Sequence, residues 1–230
     1  MENNEKKLEQ KMIRYRDLLD IVVKDNNEPF VFLKQNDTPS GYAKIMSDMK
    51  NVLGDKMFVR ISVYKKLKQA QQYLQNENPN LTLFVTYGYR TLEIQTENFL
   101  EELRKIKIFF KNPEDLYEEV NRFVAVPIIA GHPTGGAIDI VIKNKITNEI
   151  IDFGGKQYDY QTKNCYVFSS EINANAKRNR LLLRSVMLKA GFAPFDGEWW
   201  HFSFGDREWA YYYKKDCAIY EQRLYKDVKK

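Results

Sequence analysis

Only two histidines occur among the 230 residues, and each lies in a segment rich in side chains able to bind a metal or transfer a proton. His132 is in GHPTGGAID, which also holds Asp139, and His201 is in GEWWHF. Two imidazole nitrogens and one carboxylate oxygen are the ligands of a catalytic zinc site that keeps one position open for water. Glu198, three residues before His201, adds a carboxylate that can act as a base. Together these residues predict a zinc hydrolase with one zinc per chain.

Asp139 lies in the apolar segment 137–142, which is typical of a β-strand. Alternation along a strand sends its isoleucines to one face and Asp139 to the other. An ionised carboxylate there is costly unless it is paired or bound to a metal. Taken alone, such an aspartate more often accepts backbone hydrogen bonds or pairs with an arginine. His132 favours the metal, because the turn at 133–136 can bring both side chains to one point.

A strand is also predicted over 199–204, with His201 on the face opposite the core-facing Phe202. Glu198 and His201 are an odd number of residues apart, so they would diverge if both lay in that strand. We therefore expect Glu198 in the turn that precedes it. A histidine considered by itself is more often a hydrogen-bonded core residue, and it is the combination with His132 and Asp139 that favours a ligand.

Arg90 follows a predicted strand at 81–87, in the segment Tyr-Gly-Tyr-Arg. Loops at the ends of strands often build sites, and a guanidinium there could stabilise a developing oxyanion or hold a substrate carboxylate. In isolation, such an arginine is more often a surface ion-pair partner.

Several segments resemble the VanX-type D-alanyl-D-alanine dipeptidases, which are zinc peptidases of cell-wall metabolism and glycopeptide resistance. GHPTGGAID is similar to the family pattern S-x-H-x-x-G-x-A-x-D, and EWWHFSFGDREWA is similar to its E-x-W-H segment. The similarity continues through FVRISVYKKLKQAQQYL, YGYR, DFGG and NRLLLRSVMLKAGF, and covers roughly residues 58–210.

The resemblance implies zinc ligation by His132, Asp139 and His201, with Glu198 as general base and acid. It also implies that Arg90 stabilises the transition state. The expected substrate is a small dipeptide, D-alanyl-D-alanine or a close relative, and the expected setting is bacterial.

The chain departs from the family pattern at three positions. Ala130 stands where the pattern has its leading serine, while Tyr87 and Thr91 replace the acidic residue and the proline around the tyrosine–arginine pair. We expect these changes to leave the metal chemistry intact and to alter the substrate subsites, and therefore the preference for D-Ala-D-Ala.

Composition argues against several other classes of partner. Lys and Arg total 36 against 31 Asp and Glu, and they are scattered, so we expect no nucleic-acid partner. The N-terminal segment lacks the apolar core of a secretory signal, and no run of about eighteen apolar residues occurs. We therefore expect a soluble, cytoplasmic protein without a membrane partner. Cys165 and Cys217 lack CxxC spacing and are predicted to be reduced thiols.

The hydrophobic pattern predicts an α+β fold, with a central, mostly antiparallel sheet that carries the zinc site and helices packed on one face. Helices are predicted from residue 59 to about 76 and at 92–108, 113–123 and 173–190. Beside the strands already named, residues 149–153 are predicted to form a hairpin with 137–142.

We expect one domain over residues 1–230, with 1–55 as an extended N-terminal wrap and 215–230 as a frayed tail. The composition leaves the oligomeric state open.

Three alternatives to a dipeptidase remain open at the level of sequence. The same scaffold could serve a D,D-carboxypeptidase or a peptidoglycan endopeptidase with a more open cleft. It could be a zinc-binding module without catalysis, although Glu198 and Arg90 argue against this because a binding module needs no base. The third alternative is a basic nucleic-acid-binding protein whose histidines are structural.

Overall fold

The structure is a computed structural model that describes residues 12–33 and 38–228. Its strands are β1 (Phe30–Phe32), β2 (Phe58–Arg60), β3 (Leu81–Tyr87), β4 (Ala137–Asn144), β5 (Ala193–Pro194) and β6 (His201–Ser203). The central sheet has the order β3-β4-β6-β5, and every neighbouring pair in it is antiparallel. β1 and β2 form a separate antiparallel pair. The predicted α+β fold with a mostly antiparallel central sheet is confirmed.

The helices of the described residues are α1 (Tyr15–Leu19), α2 (Asp48–Leu53), α3 (Ile61–Glu77), α4 (Leu92–Ile106), α5 (Pro113–Asn121), α6 (Ala174–Lys189), α7 (Arg207–Tyr212) and α8 (Tyr225–Val228). Single 3₁₀ turns lie at Lys107–Phe109, Pro127–Ile129, His132–Thr134 and Lys163–Cys165.

The two longest helices, α3 and α6, pack against one another and against the sheet, and their apolar faces share its main core. The fully buried residues of α3 recur every three or four positions, as the periodicity predicted: Val63, Leu67, Ala70 and Leu74. Ile138, Ile140 and Ile142 of β4 belong to the same core and are also fully buried. Asp139 therefore projects from the opposite face of β4.

Three predicted boundaries differ from the structure for local reasons. The helix predicted from residue 59 begins at Ile61, because Phe58–Arg60 pairs as a strand with Phe30–Phe32. The strand predicted over 199–204 is only His201–Ser203, because the His201 backbone N–H donates 3.1 Å to the Glu198 carbonyl and closes a turn. The hairpin predicted at 149–153 is reduced to one bridge between Lys143 and Ile150.

The N-terminal segment is held by charged side chains and contains α1, β1 and α2. Glu28 accepts hydrogen bonds from the backbone N–H and hydroxyl of Ser62, at 3.2 and 2.7 Å, and so satisfies a free N–H in the first turn of α3. The buried Arg60 donates from Nη1 to the Glu28 carbonyl at 2.6 Å and from Nε to the Thr134 carbonyl at 2.8 Å. Arg60 thus ties this segment to the turn that carries His132.

The C-terminal segment is packed rather than frayed over the part that the structure describes, 215–228, so this prediction is wrong there. Ala218 bridges to Val23 and is fully buried, and Tyr220 is 1% exposed. The Tyr220 hydroxyl donates 2.7 Å to the Glu28 carboxylate. Between Lys215 and Lys226 the segment carries Ala218 and Tyr220, and burial of these two side chains favours docking.

Both cysteines are free thiols, Cys165 buried and Cys217 partly exposed. Within residues 12–33 and 38–228, no helix combines the length and the apolar character needed to cross a bilayer.

Candidate active site

One row of side chains crosses the central sheet on the face away from α3 and α6. Tyr87 on β3 lies opposite Asp139 on β4, and Asp139 lies opposite His201 on β6. A register irregularity between Val85 and Tyr87 brings Tyr87 into this row. Three strands therefore place an aromatic ring, a carboxylate and an imidazole side by side.

His132 reaches the same point from the His132–Thr134 turn. Gly135 ends that turn with φ 73°, in the left-handed region, and a Cβ there would lie 2.2 Å from the Phe30 ring. His132 Nε2 lies 3.6 Å from Asp139 Oδ1. Its Nδ1 lies 2.8 Å from the Gly88 carbonyl. Since a carbonyl can only accept, Nδ1 carries the proton and the Nε2 lone pair faces Asp139.

In His201 the ring nitrogen that faces Asp139 is Nδ1, whereas in His132 it is Nε2. His201 Nδ1 lies 3.1 Å from Asp139 Oδ1, and its Nε2 lies 3.4 Å from Glu208 Oε2 at the start of α7. Glu208 therefore turns the Nδ1 atom of His201 towards Asp139. The two imidazoles lie edge to face, with ring centroids 5.1 Å apart.

The donor set fits a divalent metal. One ligand atom from each of His132, Asp139 and His201 lies within 4.8 Å of the other two; His132 and Asp139 are buried, and the His201 side chain is 11% exposed. Donors about 2.0–2.1 Å from a tetrahedral ion are about 3.3 Å apart, close to the 3.6 and 3.1 Å that separate the His132 and His201 nitrogens from Asp139 Oδ1. Each imidazole also donates its second N–H to a carbonyl or carboxylate, which is the usual arrangement for a metal-bound histidine. The sequence prediction that these three side chains meet agrees with this geometry.

Burial and mutual charge set the protonation of these residues. Burial opposes ionisation of Asp139, but the two imidazoles hold its pKa below the ordinary value. Burial lowers the pKa of His132. The same burial acts on His201, yet its hydrogen bonds to Asp139 and Glu208 raise its pKa well above the ordinary value. The metal-free site therefore holds an ionised Asp139 beside a protonated His201.

Tyr158 holds the second oxygen of Asp139. Its hydroxyl donates 3.0 Å to Asp139 Oδ2, and burial raises its pKa, so the proton stays available for donation. Tyr158 has φ 63°, a backbone conformation that residues with a side chain adopt infrequently.

Glu198 lies in the turn before β6, as predicted, and its Oε2 is 4.0 Å from His201 Nδ1. The Tyr160 hydroxyl donates 3.1 Å to the other oxygen, Oε1. Burial raises the pKa of Glu198 to about 7; the charge of His201 opposes this shift and that of Asp139 adds to it. The carboxyl can therefore exchange a proton near neutral pH.

Arg90 is buried beside the metal donors rather than paired at the surface. Its Nε donates 3.0 Å to the Tyr87 hydroxyl, and its Nη1 donates 2.9 Å to Gln95 Oε1. Burial disfavours its charge, but Tyr87 and the carboxylates of Asp48 and Asp139 raise its pKa above the ordinary value. The guanidinium is therefore a permanent cation.

A cleft of about 630 Å³ opens over these residues. Its inner end is formed by the acid–base and metal-donor side chains, together with Ala130, Tyr158 and Tyr160. Residues of α2 and α4 form its outer walls. Of the two other positions that depart from the family pattern, Tyr87 belongs to the row described above, and Thr91 caps α4 by accepting 3.2 Å from the Ile94 N–H.

Sequence reasoning missed Glu208, Tyr158 and Tyr160. Glu208 lies in the segment EWWHFSFGDREWA and could have been considered as a partner of His201 on that ground. Tyr158 and Tyr160 lie in a loop without periodicity, and 15 tyrosines occur in the chain, so their type alone carried no signal.

Comparison with known proteins identifies the family of this chain. A family model described as "D-ala-D-ala dipeptidase", of the Peptidase_M15 family, matches residues 42–223. A D-alanyl-D-alanine dipeptidase of Synechocystis sp. is 27% identical over 212 residues, which cover 81% of this chain and 84% of that protein. The Escherichia coli D-alanyl-D-alanine dipeptidase is 34% identical over 79 residues, which cover 34% of this chain and 40% of that protein.

Among solved structures, VanYB in complex with D-alanine-D-alanine aligns with a TM-score of 0.43 and 16% sequence identity, covering 86% of this chain and 93% of that one. The family match includes every residue placed in the site above, from Asp48 to Glu208.

Proposed function

The chain belongs to the D-Ala-D-Ala dipeptidase family of M15 peptidases, and from this premise we propose that it hydrolyses D-alanyl-D-alanine with one zinc ion. The observation that carries the proposal is the convergence of His132, Asp139 and His201, with Glu198 and Arg90 in the same cleft.

His132 Nε2, His201 Nδ1 and a carboxylate oxygen of Asp139 would hold the zinc. When bound, zinc supplies a Lewis acid that polarises a carbonyl and makes hydroxide available near neutral pH. The protein orients the three donors through Gly88, Glu208 and Tyr158, so their ligand atoms already face one point before the metal arrives.

Glu198 is the proposed general base and acid. Its carboxylate accepts the proton of the attacking water and later delivers it to the departing amine. Tyr160 fixes one of its oxygens at 3.1 Å, which leaves Oε2 for the proton. A pKa of about 7 suits both roles, because the group then exchanges its proton readily at neutral pH.

Arg90 is proposed to stabilise the negative oxygen that develops when the peptide carbonyl is attacked. One well-placed donor of this kind lowers the barrier by about 3 kcal/mol. Burial strengthens the effect, since the same charge acts more strongly where water is excluded.

The direct test is hydrolysis of a dipeptide panel by the zinc-loaded protein, with chelated protein as the matched control. We expect cleavage of D-Ala-D-Ala to exceed that of L-Ala-D-Ala and L-Ala-L-Ala, and to disappear on chelation and return with zinc. A protein that binds one zinc per chain and cleaves none of these dipeptides would contradict the proposal.

A second candidate, cleavage of the terminal residue from a longer peptide, is favoured by the length of the cleft. Its α4 wall runs from Gln95 to Lys105, which are ten steps apart along the helix and therefore about 15 Å apart at 1.5 Å per step. An extended dipeptide spans only about 7 Å. Comparing D-Ala-D-Ala with a pentapeptide that ends in D-Ala-D-Ala separates the two: a higher kcat/KM for the pentapeptide would favour a carboxypeptidase.

A further inference from the structure

The Tyr87 hydroxyl lies between a cation and an anion that come from distant parts of the chain. It accepts a hydrogen bond from Arg90 Nε at 3.0 Å and donates one to Asp48 Oδ1 at 2.7 Å. Asp48 is the first residue of α2 and is 39 positions before Tyr87. The three groups form a continuous chain from the outer wall of the cleft to its floor.

We infer from this series of hydrogen bonds that Tyr87 and Asp48 are positioning residues that hold the Arg90 guanidinium for the substrate. Tyr87 stands where the family pattern has an acidic residue, and the carboxylate is supplied instead by Asp48 through the tyrosine hydroxyl. The inference rests on the proposed function, because Arg90 acts on a substrate only if this cleft is the active site.

The hydrogen bonds of Arg90 leave one part of its guanidinium for a ligand. The Tyr87 hydroxyl accepts a hydrogen bond from Nε, and Gln95 Oε1 accepts one from Nη1. The amide nitrogen of Gln95 in turn donates 2.7 Å to the Ala125 carbonyl. No residue in the described part of the chain accepts a hydrogen bond from Nη2. Because two of its three nitrogens are hydrogen-bonded to the protein, the Arg90 guanidinium has little freedom to rotate. A donor that is already fixed in place needs no reorganisation during the reaction.

Tyr87 is itself well fixed. It is fully buried, and its ring lies edge to face with His132 and Tyr42, with centroids 5.2 and 5.7 Å away. Burial raises the pKa of Tyr87, so the hydroxyl keeps its proton and donates it to Asp48. The second oxygen of Asp48 accepts 3.1 Å from Asn98 of α4, which prevents the carboxylate from turning away.

A purely structural role, in which the Tyr87–Asp48 bond only ties α2 to the sheet, predicts a different pattern of effects. Loss of the bond would then lower stability without changing how Arg90 acts. A positioning role predicts that Tyr87 matters for turnover only while Arg90 is present.

The first experiment is a double-mutant cycle with Tyr87→Phe and Arg90→Ala, assayed on D-Ala-D-Ala with zinc content measured in each variant. In the wild-type background, we expect Tyr87→Phe to lower kcat by about 10–100-fold, with KM changed less than about threefold and zinc content unchanged. In the Arg90→Ala background, it should lower kcat by less than about twofold. Equal losses in the two backgrounds, or no loss in the first, would overturn the inference.

Tyr89→Phe is the matched control. Tyr89 is also fully buried, and its hydroxyl makes one hydrogen bond of 2.7 Å, but to the Arg223 carbonyl outside the row. Its removal should change kcat less than about twofold. Asp48→Asn, which keeps an oxygen acceptor for Tyr87, should retain more activity than Asp48→Ala; equal activities of the two variants would count against the role of Asp48.

A second readout does not depend on activity. In the metal-free protein labelled with ¹⁵N, the Arg90 Nε–H signal should be protected from exchange with water, and Tyr87→Phe should remove that protection. A signal equally protected in both proteins would refute the geometry. A zinc-loaded wild type that cleaves no peptide while this protection is lost as expected would count against the proposed function and leave the positioning contact supported.

Discussion

Replacing Glu198 by glutamine should separate the effect of this carboxyl on kcat from its effect on the free energy of unfolding. Glutamine has the same size, and its amide oxygen can still accept from the Tyr160 hydroxyl, but it cannot take up a proton. A general base contributes about 10²–10⁴-fold to the rate, which corresponds to about 3–5 kcal/mol of activation free energy. We therefore expect kcat to fall by that factor while the variant still binds one zinc per chain.

The same substitution should stabilise the metal-free protein at high pH. The Glu198 side chain is only 13% exposed, and its pKa is raised from 4.5 to about 7. A raised carboxyl pKa means that the folded state loses stability as pH rises from the unfolded value through the folded one. The difference amounts to about 3 kcal/mol above pH 7, and glutamine, which is never charged, avoids it.

Urea unfolding of both metal-free proteins at pH 5 and pH 8, together with kcat at saturating D-Ala-D-Ala, tests both expectations. Glu101→Gln is the matched control, because Glu101 also lines the cleft but its side chain is 68% exposed. It should change neither quantity appreciably. An unchanged kcat in Glu198→Gln would refute its role as the base, and a variant less stable than wild type at pH 8 would refute the electrostatic reasoning.

Three further outcomes are expected. Glu208→Gln should weaken zinc binding by about 10–100-fold in a chelator competition, because the imidazole of His201 loses its carboxylate partner; an unchanged affinity would show that this contact does not orient the ligand. Zinc affinity of the wild type should rise between pH 5.5 and pH 8, because the pKa of His201 is raised and zinc must displace its proton; isothermal titration at several pH values would reveal a flat profile if this is wrong. Glu28→Gln should lower the free energy of unfolding by about 1–2 kcal/mol at pH 7, since the carboxylate accepts from Ser62 and Tyr220. The pKa of Glu28 is lowered, so this contribution is present above its unfolded pKa and disappears as pH falls, and the two proteins should converge in urea unfolding at pH 3.

The two imidazoles of the candidate metal site differ in how they would receive an ion. His132 is buried and uncharged, and its Nδ1–H donates a hydrogen bond to the carbonyl of Gly88. The lone pair of its Nε2 is therefore free to bind a metal ion. His201 lies between two carboxylates, Asp139 and Glu208, and holds a proton in the metal-free state. Proton release on metal binding should therefore come chiefly from His201.

Much of the candidate site was predictable from sequence because its residue types are rare and their spacing is constrained. Two histidines in 230 residues, an aspartate within an apolar strand and a glutamate before an aromatic strand leave few chemical roles. The central strands and the long helices were equally predictable, since Ala137–Asn144 begins with a short, continuously buried and mostly apolar run, while buried apolar residues recur about every 3.6 positions along Ile61–Glu77.

Sequence by itself thus determined which side chains could bind a metal and transfer a proton, and which elements carry them. Tertiary structure alone decided which nitrogen of each histidine faces the metal position, because that depends on Gly88 and Glu208. It also decided that Asp48 reaches Arg90 through Tyr87, across 39 residues of chain. Such contacts leave no periodic trace, because a hydrogen bond between distant residues depends on how whole elements pack and not on the spacing of residues along any one of them.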